Sequence, residues 1–160
     1  MEEALLDVTS LPVLPIGTIT FRLLLAALMG GAIGVEREWR RRPAGLRTNI
    51  LVAVASALFA ILTLEIVHAE IIEGEAIRMD PLRVIEAVTA GVAFLAAGAI
   101  IQSRGNVQGI TTGAGLWLSG AVGVACGLGL WSIAFIAVVI GLVVMIVLGK
   151  LEQKALRRAE

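Results

Sequence analysis

The run ITTGAGLWLSGAVGVACGLGLWSIAFIAVVIGLVVMIVLG, residues 110–149, contains no Asp or Glu and is interrupted only by a tight Gly127-Leu128-Gly129 turn. A helix crossing the hydrocarbon of a bilayer needs about 20 mostly apolar residues, so this run reads as two successive transmembrane helices, 110–127 and 130–148. Three further runs of the same kind precede it, at 16–35, 50–67 and 84–101. The fold class is therefore all-α. We expect a polytopic bundle of five transmembrane helices forming one membrane domain over 1–160, with a short basic tail at 150–160. Pro12 and Pro15 suit the start of the first helix, Pro81 the first turn of the third, and Gly149 the exit of the fifth.

Composition points the same way. Of 160 residues 58% are hydrophobic and 16% charged, with a mean hydropathy of +0.94, whereas an ordinary soluble domain is about half apolar and about a quarter charged. Thirteen Lys and Arg balance thirteen Asp and Glu, which leaves no basic excess for a nucleic-acid backbone. A single cysteine, Cys126, and a single histidine, His68, cannot build a structural zinc site, an intramolecular disulfide or a Cys-His pair. Cys126, set among Gly, Ala and Leu, reads as a small buried hydrophobe. No Ser-His-Asp, Cys-His or metal-ligand spacing appears, so neither catalysis nor a cofactor is expected. Glu2, Glu3 and Asp7 stand where a cleavable signal peptide would carry its basic region, so none is expected.

Short loops rich in Lys and Arg face the cytoplasm. Arg37, Arg40, Arg41, Arg42 and Arg47 separate the first two helices, Arg104 follows the third, and Lys150, Lys154, Arg157 and Arg158 form the tail. Five crossings place these three segments on one side, which predicts an outer N-terminus and an inner C-terminus. The acidic N-terminus and the loop with Glu70, Glu73, Glu75 and Asp80 then fall outside.

Membrane helices associate where small residues let backbones approach. Gly115, Ser119, Gly123 and Gly127 recur every four residues on one face of helix four, which predicts that helix as the centre of the bundle. Gly30 and Gly34 form a GxxxG pair on helix one, open to a homodimer contact, while helix five has little but Gly141 to mark a close approach and reads as lipid-facing.

Ionisable groups inside a span are costly and usually face a partner or water. Arg22 lies about two turns from the outer end of helix one, and Glu86 less than about one turn into helix three from that same end. They belong to an outer polar cluster of Arg22, Asp80, Arg83 and Glu86, with Arg22 and Glu86 either paired across a cavity or each snorkelling to the headgroups. Glu65, near the outer end of helix two, is expected to snorkel. At the inner side four helix ends converge, offering Glu36, Arg37, Arg47, Thr48, Asn49, Gln102, Thr111 and Thr112 as a binding or interaction face. Pro43-Ala44-Gly45 reads as a turn that directs Arg47 at this mouth. Thr111 and Thr112 also read as helix caps, and Arg40 to Arg42 as headgroup anchors.

Five motifs occur in order across roughly residues 30–131: Gly30-xxx-Gly34-Val35-Glu36-Arg37-Glu38, Pro43-Ala44-Gly45-Leu46-Arg47-Thr48, Asp80-Pro81-Leu82-Arg83, Phe94-Leu95-Ala96-Ala97-Gly98, and Gly109-Ile110-Thr111-Thr112 with Leu116-Trp117. Together they resemble the MgtC/SapB family of bacterial inner-membrane proteins. The family's GFLGAG is here Ala93-Phe94-Leu95-Ala96-Ala97-Gly98, its GLTTAA is Gly109-Ile110-Thr111-Thr112-Gly113-Ala114, and a usual glutamine on helix three is Ala87, with Glu86 beside it.

The resemblance implies a short-form member, without the soluble C-terminal domain of longer ones. Members are associated with survival under low magnesium and, in pathogens, inside host cells; they are often named magnesium transporters, and some act by binding other membrane proteins such as ATP synthase or ion pumps. The expected function is a non-enzymatic regulator of a partner membrane protein or of ion homeostasis under magnesium or related stress. The alternative is a small ion transporter or channel. Magnesium prefers octahedral oxygen coordination through a few carboxylates, and Glu65 and Glu86 alone make a poor path for it. The expected surroundings are the lipid bilayer, a partner membrane protein and, through helix one, a second copy of the chain.

Overall fold

The structure, a computed structural model, describes residues 12–73, 82–103 and 106–151. Five helices are long and apolar enough to cross a membrane. They are α1 (Ile16–Trp39), α2 (Leu46–Glu73), α3 (Leu82–Ala99), α4 (Ile110–Gly127) and α5 (Trp131–Val143). The last continues through a π-helical turn, Val144–Leu148, and on to Leu151. It does not end at Gly149. Between α3 and α4 the chain forms a two-stranded antiparallel hairpin, β1 (Ile101–Ser103) with β2 (Asn106–Gln108), where the apolar pattern suggests helix to residue 101. The hairpin returns to the bundle through Gly109 at φ +91°, where a Cβ would strike the Ala99 carbonyl, so only glycine fits.

Helix α4 touches all four others, and α1, α2 and α4 form the close-packed heart of the bundle. In lipid there is no hydrophobic drive between helices, so close van der Waals approach must hold them. Small residues supply it. A Cβ on Gly123 would strike the Ala53 carbonyl, and one on Gly127 the Ala57 carbonyl. The GxxxG pair of α1 meets the same helix: a Cβ on Gly30 would lie 2.7 Å from the Asn49 carbonyl oxygen, and one on Gly34 2.7 Å from the Leu46 Cα. That face is filled within the chain, so it is not available for a contact between copies.

A second set of glycines on α4 faces α3, where a Cβ on Gly113 would meet Ala96 at 3.3 Å and one on Gly120 would meet Val92 at 2.9 Å. Ala26, Ile33, Ala53, Ala57, Val122, Cys126, Ala134 and Val138 make one buried cluster, and Val52, Val92 and Leu116 a smaller one. Helix α5 inserts Ala134 and Val138 and leaves Ile133, Phe135, Ile136, Val139 and Ile140 exposed, the surface expected of a helix against lipid.

Both tight connections end in Schellman caps, in which a residue at positive φ lets the next amides bond back into the helix. At the end of α4, Gly129 (φ +82°) allows Leu130 N–H to reach Ala125 O at 2.8 Å. At the end of α1 the same position is filled by Arg41 (φ +52°), with Arg42 N–H donating to Arg37 O at 3.0 Å and Arg41 N–H to Glu38 O at 2.9 Å.

Candidate functional site

The end of the bundle that carries the arginine-rich α1–α2 turn holds a buried polar cluster. Glu36 and Arg37, in the last turns of α1, are 5% and 3% exposed. Arg37 Nε donates to Glu36 Oε2 at 2.6 Å, and Arg40 Nε pairs with Glu36 Oε1 at 2.5 Å. Arg40 also donates from Nη2 to Ile146 O at 3.3 Å, inside the π-helical turn of α5, and its guanidinium occupies the space that Gly149 leaves by having no side chain. Arg37 passes Gly115 of α4, and its Nη1 is buried with no hydrogen-bond partner among the described residues.

Asn49, in the first turns of α2, is 1% exposed. Its Nδ2 donates to Ala44 O at 2.7 Å and Gly45 O at 2.8 Å, while Oδ1 accepts from Ser119 Oγ of α4 at 2.8 Å. Glu38 accepts from Leu46 N–H at 2.8 Å and so satisfies an open amide at the start of α2. Glu38 and Asn49 thus fasten the turn between α1 and α2 to the bundle.

Of the residues that the sequence proposes for this face, Glu36, Arg37, Asn49 and Thr112 are buried, whereas Arg47, Thr48 and Thr111 are exposed. Gln102 sits in β1 opposite Val107. Two expectations reverse here. Arg40, read as a headgroup anchor, is the arginine held in place, and Arg47, read as directed by the turn, makes no ion pair among the described residues. Thr111 and Thr112 do not cap α4, whose N-cap is Gly109 with no side-chain bond. Sequence reasoning missed the roles of Arg40, Glu38 and Ser119. The spacing of Glu36 and Arg40 at i and i+4, which aligns opposite charges on a helix, is the signal that could have found the first.

At the opposite end, Arg22 Nη1 donates to Gly127 O at 2.7 Å, using one of the carbonyls left open where α4 ends. Glu86 is exposed on α3, and no ion pair joins it to Arg22. The Arg22–Glu86 pair is therefore not formed, because α1 packs on α2, α4 and α5 while α3 packs on α4 and α2. Glu65 does not snorkel: its carboxylate accepts from Val13 N–H at 2.6 Å and Leu14 N–H at 2.9 Å, fastening the segment that leads into α1. Asp80 and Pro81 lie outside the described residues.

A profile of the MgtC family matches residues 23–154, which takes in the Glu36–Arg37–Arg40 cluster, most of α1 and the other four helices. The chain belongs to the MgtC family. Over 102 residues, 64% of this chain, it is 41% identical to an Escherichia coli K12 protein named "Putative magnesium transporter YhiD", of which the match covers 47%. It is 45% identical over 98 residues, 61% of the chain, to "Protein MgtC" of Brucella abortus, of which the match covers 37%. The matched stretch thus spans less than half the length of these relatives. No solved structure matches the chain. In this MgtC-family chain Glu36 and Arg37 form the buried ion cluster with Arg40, Glu38 bonds the first amide of α2, Pro43 to Gly45 form the turn that leads into α2, and Gly109 to Thr112 starts the central helix.

Proposed function

We propose that this MgtC-family protein is a multi-pass protein of the bacterial inner membrane that acts without catalysis, modulating a partner membrane protein under magnesium limitation through its α1–α2 turn. The observation that carries the reading is Arg41. It occupies a left-handed backbone position that glycine fills at the end of α4, and a residue with a Cβ there costs about 1 kcal/mol. Strained positions of this kind concentrate where a side chain is needed for binding. The turn is fastened from below by Glu38 and Asn49 and presents Trp39, Arg41, Arg42 and Arg47 outward. With the orientation that the Lys and Arg distribution favours, this surface faces the cytoplasm.

A magnesium path through the same end is the weaker reading. The buried carboxylate, Glu36, is outnumbered by the guanidinium groups of Arg37 and Arg40, so the local field repels a cation. The name borne by YhiD keeps transport as the alternative.

Arg41→Gly separates structure from function. Relief of the left-handed arginine should leave the protein as stable as wild type or raise its melting temperature. It should nonetheless abolish rescue of low-magnesium growth in a bacterium lacking its own family member. Rescue at the wild-type level by Arg41→Gly would overturn the proposed turn surface. Magnesium entry into proteoliposomes above protein-free vesicles, read with an enclosed magnesium dye, would move the assignment to transport.

A further inference from the structure

Helices α2 and α3 share the small buried cluster of Val52, Val92 and Leu116, and between them lies a groove of about 640 Å³. Its walls are apolar, with Phe59, Leu62 and Ile66 from α2 facing Val88 and Leu95 from α3. Of the two hydroxyls in the lining, Ser56 and Thr63, that of Thr63 already donates to Phe59 O at 2.8 Å. The one charged residue in the lining is Arg83, at the rim in the first turn of α3, exposed and without an ion pair among the described residues. Among the described residues, Glu65 is bonded to the Val13 and Leu14 amides, and Glu86 lies outside the lining.

The groove runs alongside α2 from Val52 to Ile66, a rise of about 21 Å at the pitch of an α-helix. That exceeds half the hydrocarbon thickness of a bilayer, about 15 Å, so it accepts one acyl chain entering from the end where Arg83 stands. An apolar slot inside the membrane with the Arg83 guanidinium at its interfacial rim is complementary to a molecule with a long hydrocarbon tail and an anionic head. We propose that the α2–α3 groove is a binding site for an anionic phospholipid, one acyl chain lying between the helices and the headgroup phosphate held by Arg83.

The test is native mass spectrometry of the delipidated full chain in detergent, titrated with phosphatidylglycerol and, separately, with phosphatidylcholine of the same acyl chains. One arginine near an anionic headgroup should favour phosphatidylglycerol about fivefold. Arg83→Gln should bring the two lipids to equal binding. Gly91 lines the groove, and a Cβ there meets nothing within 4 Å, so Gly91→Leu should fill the slot without disturbing the fold and suppress binding of both lipids. Inorganic phosphate should not compete, since the acyl chain supplies most of the contact. Equal binding of the two lipids by the wild type, or undiminished binding by Gly91→Leu, would overturn the proposal. A dimer in the wild type that Gly91→Leu dissociates would also overturn it, and would assign the groove to a helix of a second copy.

Discussion

Helix α2 has two unlike sides. Toward α1 and α4 it is gripped: Asn49 bonds across to Ser119, and the backbone of Ala53 and Ala57 lies against glycines that tolerate no side chain. Toward α3 it stands off, with Phe59 and Leu62 about half exposed and lining a groove between the two helices. The same apolar helix therefore makes a closed seam and an open one. Its own hydrophobicity is no guide to which, since lipid is as apolar as either neighbour. What differs is the partner surface: Gly30, Gly34, Gly123 and Gly127 bring backbone to backbone on the gripped side, while Gly91 and Gly98 of α3 meet nothing within 4 Å.

The strongest way to break this contrast is to put a side chain into the closed seam. Gly123→Leu would drive a Cβ and a branched chain into the Ala53 backbone, which cannot yield as a flexible side chain could, and should destabilise the protein by about 4 kcal/mol or more. Loss of monodisperse protein on detergent extraction is the expected readout, and a normally folded Gly123→Leu variant would show that the α2–α4 seam is not close-packed.

Next in size is the ion cluster that fastens α1 and α5 together below the turn. Arg40→Ala removes the partner of Glu36 Oε1 and the bond to Ile146 O and should cost about 2 kcal/mol, between the cost of breaking an exposed pair and that of breaking a fully buried one. Arg47→Ala should leave the melting temperature unchanged, because its exposed side chain makes no ion pair among the described residues. A thermal melt in detergent that ranks the two in the reverse order would contradict the geometry.

The bond between α2 and α4 comes third. Asn49→Ala leaves the Ala44 carbonyl and the Ser119 hydroxyl without their partner, removes one of the two bonds to the Gly45 carbonyl, and should cost about 1.5 kcal/mol. The double variant with Ser119→Ala should cost less than the sum of the two single ones, as expected for residues in direct contact. Strict additivity would mean that the two side chains do not interact.

The smallest effect belongs to the open seam. Gly91→Leu should alter stability by less than about 1 kcal/mol, and toward greater stability, since a helix-favouring residue replaces glycine in open space. A large loss at Gly91 would show that the groove closes around it.

The five spans, the helical class and the family motifs are legible in the sequence because each is a local property: the length of an apolar run, or residues close together in the chain. Helix boundaries move where local hydropathy ignores hydrogen bonding, as at Gly109, whose left-handed backbone ends a hairpin that apolar Ile100 and Ile101 conceal. Within the candidate site, sequence singles out Glu36, Arg37 and Asn49 by residue type, yet it cannot tell that Asn49 turns inward to Ser119 while Thr48 beside it faces out.

Hydropathy by itself fixed that this chain is a membrane bundle, because burying about 20 apolar residues in lipid does not depend on what lies next to them. Only the tertiary structure decided which charges meet. Arg22 is bonded to the end of α4 and not to Glu86, Glu65 to the backbone before α1, and Arg40 to the Ile146 carbonyl beyond α5. Each of those partners lies on another helix or another turn, and a polar group in the membrane takes whichever partner the packing of small residues brings within reach.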